Sequence, residues 1–257
     1  MSRIHLFEFE DQQWFPKFIR NYMTDFLQFL ANKANMFQNI IPIIEKGLAK
    51  SGGNQIVDLA SGGGGGLLRV NQELKKNNPN VRILLTDFYP NTSAFEYTKK
   101  QSDNFDYIAT PVDAMHVPEN LKGLRTQFLS FHHFRPEDAR QILQNAVDAQ
   151  NAIAIFEGQE RSVASIVAMV FSPISVLLTA PFIRPFKLGR IIFTYLIPIV
   201  PLAVLWDGIV SALRTYSEAE MHELVSKLSD KDSFEWEIGR TKSGPAYILY
   251  LLGHPKP

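Results

Sequence analysis

The sequence predicts an α/β fold: a mostly parallel sheet, covered by helices on both faces and finished by an antiparallel hairpin. Three observations carry this. The run Ile56-Val57-Asp58-Leu59-Ala60-Ser61 meets five glycines, Gly62 to Gly66, and then an amphipathic stretch with Leu67, Leu68, Val70 and Leu74. That is strand, glycine turn and helix in succession. Strand-like and helix-like patterns then alternate as far as Glu157. Near the C-terminus, two further apolar runs flank Lys242-Ser243-Gly244-Pro245, which has hairpin-turn composition.

The elements follow in order. Residues 11–32 carry a helical period in Trp14, Phe18, Ile19, Tyr22, Phe26 and Leu30, with Asp11 as cap and Pro16 in the first turn. A second helix is expected over 34–49, stopped by Gly52-Gly53. Strand one is expected at 54–59 with its helix at 64–77, and strand two at 81–87 with its helix at 91–101. Strand three is expected at 106–112, strand four at 127–131 with a helix at 136–149, and strand five at 151–157. Ser217 and Glu220 form a capping box for a helix near 217–229. The last two strands are expected at 234–238 and 246–252.

Composition narrows the function. The 257 residues carry a formal net charge of zero, so the broad basic surface of a nucleic-acid binder is not expected. There is no cysteine, hence no disulfide, thiol nucleophile or thiolate metal site. The N-terminus soon meets Glu8, Glu10 and Asp11 and lacks the pattern of a signal peptide, which points to a cytoplasmic catalytic part.

The glycine loop separates two cofactor classes. A dinucleotide fingerprint requires G-x-G-x-x-G or a terminal Ala, and from Gly62, Gly63 or Gly64 the last position is Leu67, Leu68 or Arg69. The sequence instead resembles the class I S-adenosylmethionine-dependent methyltransferases. Their first motif, an acid followed by a G-x-G-x-G-like loop, matches Asp58, Ala60, Gly62 and Gly64, with Ala60 where that family usually has glycine. The resemblance covers about 54–158 and 217–255. It implies a Rossmann-like, seven-stranded, mostly parallel sheet with a C-terminal antiparallel hairpin, N-terminal helices and an apolar helical insertion. Residues 1–50 would be a helical cap, 51–161 with 207–257 the cofactor-binding core, and 162–206 the insertion.

It also implies S-adenosylmethionine as cofactor and a role for each matched residue. Asp58 would order the loop and help hold the methionine end, and Gly62 and Gly64 would present backbone N–H groups. Asp87, about twenty residues after the glycines, would accept from the ribose hydroxyls. Phe88 would pack on adenine, and Asp113 with Ala114, at the end of strand three, would meet its amino group. The alternative for each acid is a helix cap or turn residue. After strand four, Ser130 and the pair His132 and His133 resemble a stretch that lies near the transferable methyl. One of the two histidines would take a proton from a hydroxyl, the alternative being a shape-setting role. No metal is expected, because further ligands at suitable spacing are missing. Glu157 ends strand five and is a candidate base or substrate contact, or else a solvated acid.

Ser162 to Ile183 is 22 residues without a charge, and Ile191 to Trp206 another 16. Arg184, Lys187 and Arg190 lie between them. The first run is long enough to span a bilayer and the second is short. Four prolines interrupt the two, and two spans would place the cations against the positive-inside tendency. A monotopic or re-entrant hairpin is therefore preferred, its cations at anionic lipid, over two spans or a buried greasy lid. An apolar wall beside the methyl donor would imply a lipophilic substrate. Arg214 and Tyr216 are its candidate binding residues, Arg214 reaching a head group or pairing with Asp207. The expected activity is methyl transfer to a lipophilic small molecule at a membrane. A soluble enzyme with a greasy lid and a non-catalytic membrane scaffold are the alternatives.

Overall fold

A computed structural model describes residues 1–243 and 246–256. Seven strands form one sheet: β1 Gln55–Asp58, β2 Arg82–Leu85, β3 Phe105–Tyr107, β4 Leu124–Phe128, β5 Ile153–Glu157, β6 Phe234–Ser243 and β7 Ala246–Pro255. Their order is β3-β2-β1-β4-β5-β7-β6. The first five are parallel, β7 runs antiparallel to β5, and β6 pairs antiparallel with β7. The expected fold class is therefore the observed one. Both hairpin strands are longer than expected, and the Gly244-Pro245 part of the expected turn lies outside the described residues.

Ten helices are described: α1 Lys17–Lys33, α2 Ile41–Ser51, α3 Leu67–Asn77, α4 Thr92–Gln101, α5 Pro136–Asp148, α6 Val163–Val170, α7 Ser172–Thr179, α8 Leu188–Ile191, α9 Ile199–Arg214 and α10 Glu218–Ser226. Alternate residues of the buried strands feed two cores. Ala154 and Phe156 of β5 pack with α2 and α3, while Ile153 and Ile155 pack with α5 and α10. The capping box at Ser217 and Glu220 is present at the start of α10.

Local chemistry moves several boundaries. Strand four runs 124–128 rather than 127–131, because Leu129 at φ 52° turns the chain out of the sheet. Its first half was hidden by the buried charge of Arg125. Strand three stops at Tyr107, ahead of Pro111, which has no N–H to donate to a ladder. Helix α1 starts at Lys17, with Pro16 in the capping position, so Asp11 caps nothing there. Residues 1–16 form a strap with a short 3₁₀ turn at Phe9–Asp11. Trp14 and Phe18, expected in the core, are exposed.

The insertion is helical. Val163–Phe182 makes a 20-residue run of mean hydropathy 2.2, of which only 11% is buried. Leu188–Leu196 and Ile199–Arg214 form a second run bent by 78°. Helix α9 crosses residues 206 and 207 without a break, so insertion and core share a helix. Val176, Ile183, Val200, Ala203 and Val204 pack on Phe15, Ile19, Met23 and Phe26. The insertion thus rests on one face of α1.

Its cations do not behave as expected. Arg190 is buried, with Nη1 2.8 Å from Asp25 Oδ2 on α1, and Lys187 Nζ reaches the same oxygen at 2.8 Å. Arg190 Nη2 also donates to the carbonyls of Ile183 and Pro185. Only Arg184 of the three is exposed.

Candidate active site

A cavity of about 420 Å³ opens where the chain leaves β1, β2, β3 and β4. This is where ligands gather on a parallel sheet, and the size suits a small-molecule site. Its floor includes Ala60 to Gly63, Asp87 to Tyr89, Val112 to Met115 and Phe128 to Ser130. Helix α1 supplies a wall through Arg20, Asn21, Thr24, Leu27 and Gln28. Positions 20, 24 and 27 face the cavity, and positions 19, 23 and 26 face the insertion. One amphipathic helix therefore stands between the two, with neighbouring stripes, about 100° apart, serving each. None of the described residues of 162–206 lines the cavity, so the insertion is neither a lid on it nor an apolar wall within it.

The glycine loop is shaped from both sides. Asp87 Oδ2 accepts the Gly62 N–H at 2.7 Å and Oδ1 accepts the Tyr89 N–H at 2.7 Å. Burial raises the Asp87 pKa, against the lowering by those two N–H groups. The Gly62 N–H is thus spent inside the protein rather than presented to a ligand. A Cβ on Gly63 would stand 2.7 Å from the Thr24 carbonyl oxygen, so this glycine is needed for close approach to α1. Gly64 does not line the cavity, and its N–H donates to the Ser61 carbonyl. Ala60 takes φ 53°, a left-handed conformation that favours glycine.

Asp58 lies beneath the loop, fully enclosed, and accepts from Thr126 Oγ1 at 2.6 Å. Burial, opposed by the Ser61 and Thr126 hydroxyls, raises its pKa to about 7. It orders the loop and does not reach the cavity. Asp113 and Ala114 line the cavity, but the Asp113 carboxylate accepts the Met115 N–H and pairs with His116 Nδ1, both at 2.9 Å. Phe88 lines the mouth and is half exposed. Ser130 lines the cavity with a buried Oγ that has no protein partner among the described residues.

The two histidines part company. His133 lines the cavity, whereas His132 is buried behind it against Glu157, which accepts the His132 N–H at 3.0 Å and meets Nδ1 at 2.8 Å. Glu157 is fully enclosed and is not a substrate contact. His133 Nδ1 lies 2.8 Å from Asp11 Oδ1 and 3.3 Å from Glu8 Oε2. Burial lowers the His133 pKa, but the carboxylates of Glu8 and Asp11 outweigh it and push the value up to about 10. The two carboxylates thus favour the imidazolium of His133, a proton donor, over the neutral base that the sequence suggested.

Arg214 and Tyr216 also change roles. Arg214 Nη1 pairs with Glu8 at 2.9 Å and Asp11 at 2.7 Å, not with Asp207. Asp207 instead accepts the N–H groups of Phe9 and Glu10. Tyr216 is buried outside this cavity, donates to the Phe134 carbonyl at 2.8 Å and lies under the Arg3 guanidinium. Both residues anchor the strap. Glu8, His132 and His133 do converge to within 4.8 Å, a set that sequence spacing does not reveal. Arg214 on Glu8 and Asp11 on His133 already neutralise those groups.

The strap residues Glu10 and Asp11 are the parts of the site that sequence reasoning missed, whereas the α1 wall agrees with the helical cap expected over residues 1–50. Three acids in an otherwise greasy N-terminal stretch were the available signal.

No family model matches the chain, and no curated protein matches it. Solved structures do. Human N-acetylserotonin methyltransferase in complex with SAM is 14% identical at a TM-score of 0.49, over 90% of this chain and 56% of that one. An O-methyltransferase family protein from Burkholderia thailandensis is 14% identical at 0.48, over 87% and 57%. Magnesium protoporphyrin IX methyltransferase from Synechocystis PCC 6803 with bound SAM is 8% identical at 0.49, over 89% and 82%. The chain spans a little over half the length of the first two.

Proposed function

We propose that the chain is an S-adenosylmethionine-dependent methyltransferase acting on a lipophilic small molecule at the cytoplasmic surface of a membrane. The observation that carries the cofactor reading is Asp87, which lies two residues past the end of β2, grips the glycine loop at Gly62 and lines the cavity. Each of its oxygens keeps a lone pair for a ribose hydroxyl beyond the N–H it already accepts. The donor set fits the cofactor in two further ways. Glu10, Asp11, Asp87 and Asp113 make an acidic lining suited to a ligand that carries a sulfonium and an ammonium, and Ser130 Oγ awaits a partner. Bound there, the cofactor supplies a methyl group on a positively charged sulfur.

The chain's own residues then position and exclude water. Asp87 holds the ribose end, Phe88 covers adenine, and His133 donates from Nε2 to an acceptor oxygen while Asp11 fixes its ring. Leu27, Met115, Leu129 and Phe134 offer apolar contact to the acceptor, which supports a lipophilic substrate now that the insertion is outside the cavity. The uncharged, largely uncovered run Val163–Phe182 supports the membrane.

Calorimetry with S-adenosylmethionine, S-adenosylhomocysteine and NAD tests the cofactor. The first two should bind and NAD should not, and Asp87→Ala should weaken binding by about 1–3 kcal/mol, the scale of a charged hydrogen bond left unmade. Absence of binding by either sulfur compound would leave a scaffold with a borrowed fold.

A further inference from the structure

Four acids line the cavity, and three are committed. Asp87 is held by two backbone N–H groups, Asp113 by Met115 and His116, and Asp11 by His133 and Arg214. Among the described residues Glu10 alone brings a carboxyl group to the cavity that no donor engages. Its backbone is fixed from two directions. The N–H donates to Asp207 Oδ2 on α9 at 3.1 Å, and the carbonyl accepts from Arg20 Nε on α1 at 2.8 Å. Arg20 is itself seated 4.4 Å over the Tyr89 ring. The side chain therefore leaves a fixed backbone at the cavity that His133 also lines.

Resting on the methyltransferase reading, we propose that Glu10 is the proton acceptor of the transfer and that the cofactor's sulfonium charge switches it from acid to base. An acceptor hydroxyl attacks the methyl carbon, and a new O–C bond forms as the C–S bond breaks. The bonding pair stays on sulfur, which becomes neutral, and the hydroxyl proton passes to the Glu10 carboxylate. One positive and one negative charge disappear together, so the site stays balanced throughout. His133, whose Nδ1 faces Asp11 and Glu8, is held toward the protonated form and is the poorer acceptor.

The surroundings supply the switch. Burial first, then Asp207, Glu8 and Asp11, raise the Glu10 pKa to about 8 against the opposing charge of His133. The cations Arg20 and Arg214 are engaged by carbonyls and by Glu8 with Asp11. In the cofactor-free protein burial and mutual repulsion thus lead Glu10 and Asp207 to hold a proton between them near neutral pH. A cation a few ångströms away favours the carboxylate by roughly 1–3 pH units. The acceptor then arrives protonated, as a neutral hydroxyl, since a ready-made anion would need no base and would meet an acidic lining.

The test compares two ligands that differ by one methyl and one charge. Calorimetry at pH 7.5 in phosphate and in Tris, whose ionisation enthalpies differ, counts protons exchanged on binding. S-adenosylmethionine should release about half a proton or more, given that shift, and S-adenosylhomocysteine far less. Glu10→Gln should bind both ligands and lose the difference, while Glu10→Asp should keep it. With a membrane lipid extract as acceptor mixture, Glu10→Gln should also lower transfer of labelled methyl by about a hundredfold. Equal proton release by the two ligands, or an unchanged difference in Glu10→Gln, overturns the proposal even though the cofactor binds. No binding heat with either ligand removes the methyltransferase reading and this proposal with it.

Discussion

Ala60 is the residue at which the cofactor loop departs from its usual glycine, and its φ of 53° says what the departure costs. A Cβ in the left-handed region is strained by about 1–2 kcal/mol. Ala60→Gly should recover about 1 kcal/mol after the extra flexibility of glycine in the unfolded chain is set against it. In a chain of this size that raises the melting temperature by about 2–4 °C. A thermal melt checks this, and an unchanged or lower midpoint would mean that the Ala60 methyl packs well enough to offset its strain. At this scale the sequence was legible where chemistry is local. Asp87 lies two residues past β2 and lines the cavity as expected, and Asp113 lines it too, although it lies six residues beyond β3 rather than at the strand's end. His133 was legible as a site residue but not as a cation. Its charge is set by Asp11, 122 residues earlier in the chain, and by Glu8, and no spacing rule joins them. Glu157 and Arg214 looked available for substrate because their buried partners, His132 on the preceding crossover and Glu8 near the other end of the chain, are joined to them by no local pattern.

Helix α1 is the element on which site and insertion meet, and Asp25 is its fastening. The carboxylate is almost fully enclosed, with Lys187 and Arg190 on one oxygen and Asn91 Nδ2 near the other at 3.3 Å. Removing the acid leaves the enclosed guanidinium of Arg190 without its counter-charge, which for a buried pair costs about 3–5 kcal/mol. Asp25→Asn should therefore lower stability by that order in a urea titration. Because the neighbouring stripe of α1 walls the cavity, it should also weaken cofactor binding, although Asp25 does not line the site. Stability within 1 kcal/mol of the parent would show that the triad is no more than a surface-grade ion pair. The periodicity of α1 was readable, and Ile19 and Phe26 are in the core as that period requires. What covers each stripe was not, since a helical period marks an apolar face without naming its neighbour. For the same reason Lys187 and Arg190 read as lipid-facing cations: their acidic partner lies on a helix more than 150 positions earlier.

Across the whole molecule, a parallel sheet with its ligand cavity at one end carries a broad apolar surface on the outer side of α1. Val163, Leu178, Phe182 and Leu196 are each at least 65% exposed. Leu6, Phe7 and Trp14 of the strap are also exposed, and Phe7 packs against Trp206 of α9 at 5.2 Å between ring centroids. Strap and insertion thus contribute to one surface, larger than isolated apolar side chains on a soluble protein require. The sequence showed that residues 162–206 are greasy, but not that they stand apart from the cavity, because no local pattern records which side of a helix an insertion takes. The structure also changes the kind of membrane contact to expect. Lys187 and Arg190 share the one carboxylate of Asp25, which leaves that trio a single net positive charge, and Arg184 is the only exposed cation of that loop, so attraction to anionic lipid would be the smaller part of membrane binding. Burial of apolar surface at about 25 cal/mol per Å² would be the larger part of such binding, and salt does not screen it. The protein should float with vesicles of neutral phosphatidylcholine nearly as well as with vesicles containing anionic lipid, and 0.5 M salt, on the order of three times physiological strength, should not strip it off. Trp14 and Trp206 fluorescence should shift to the blue on binding, as expected of indoles entering the interfacial belt. Binding only to anionic vesicles with release by salt would restore an electrostatic contact through other cations. A protein that stays in the supernatant with every vesicle would mean that another protein surface, not lipid, covers the insertion.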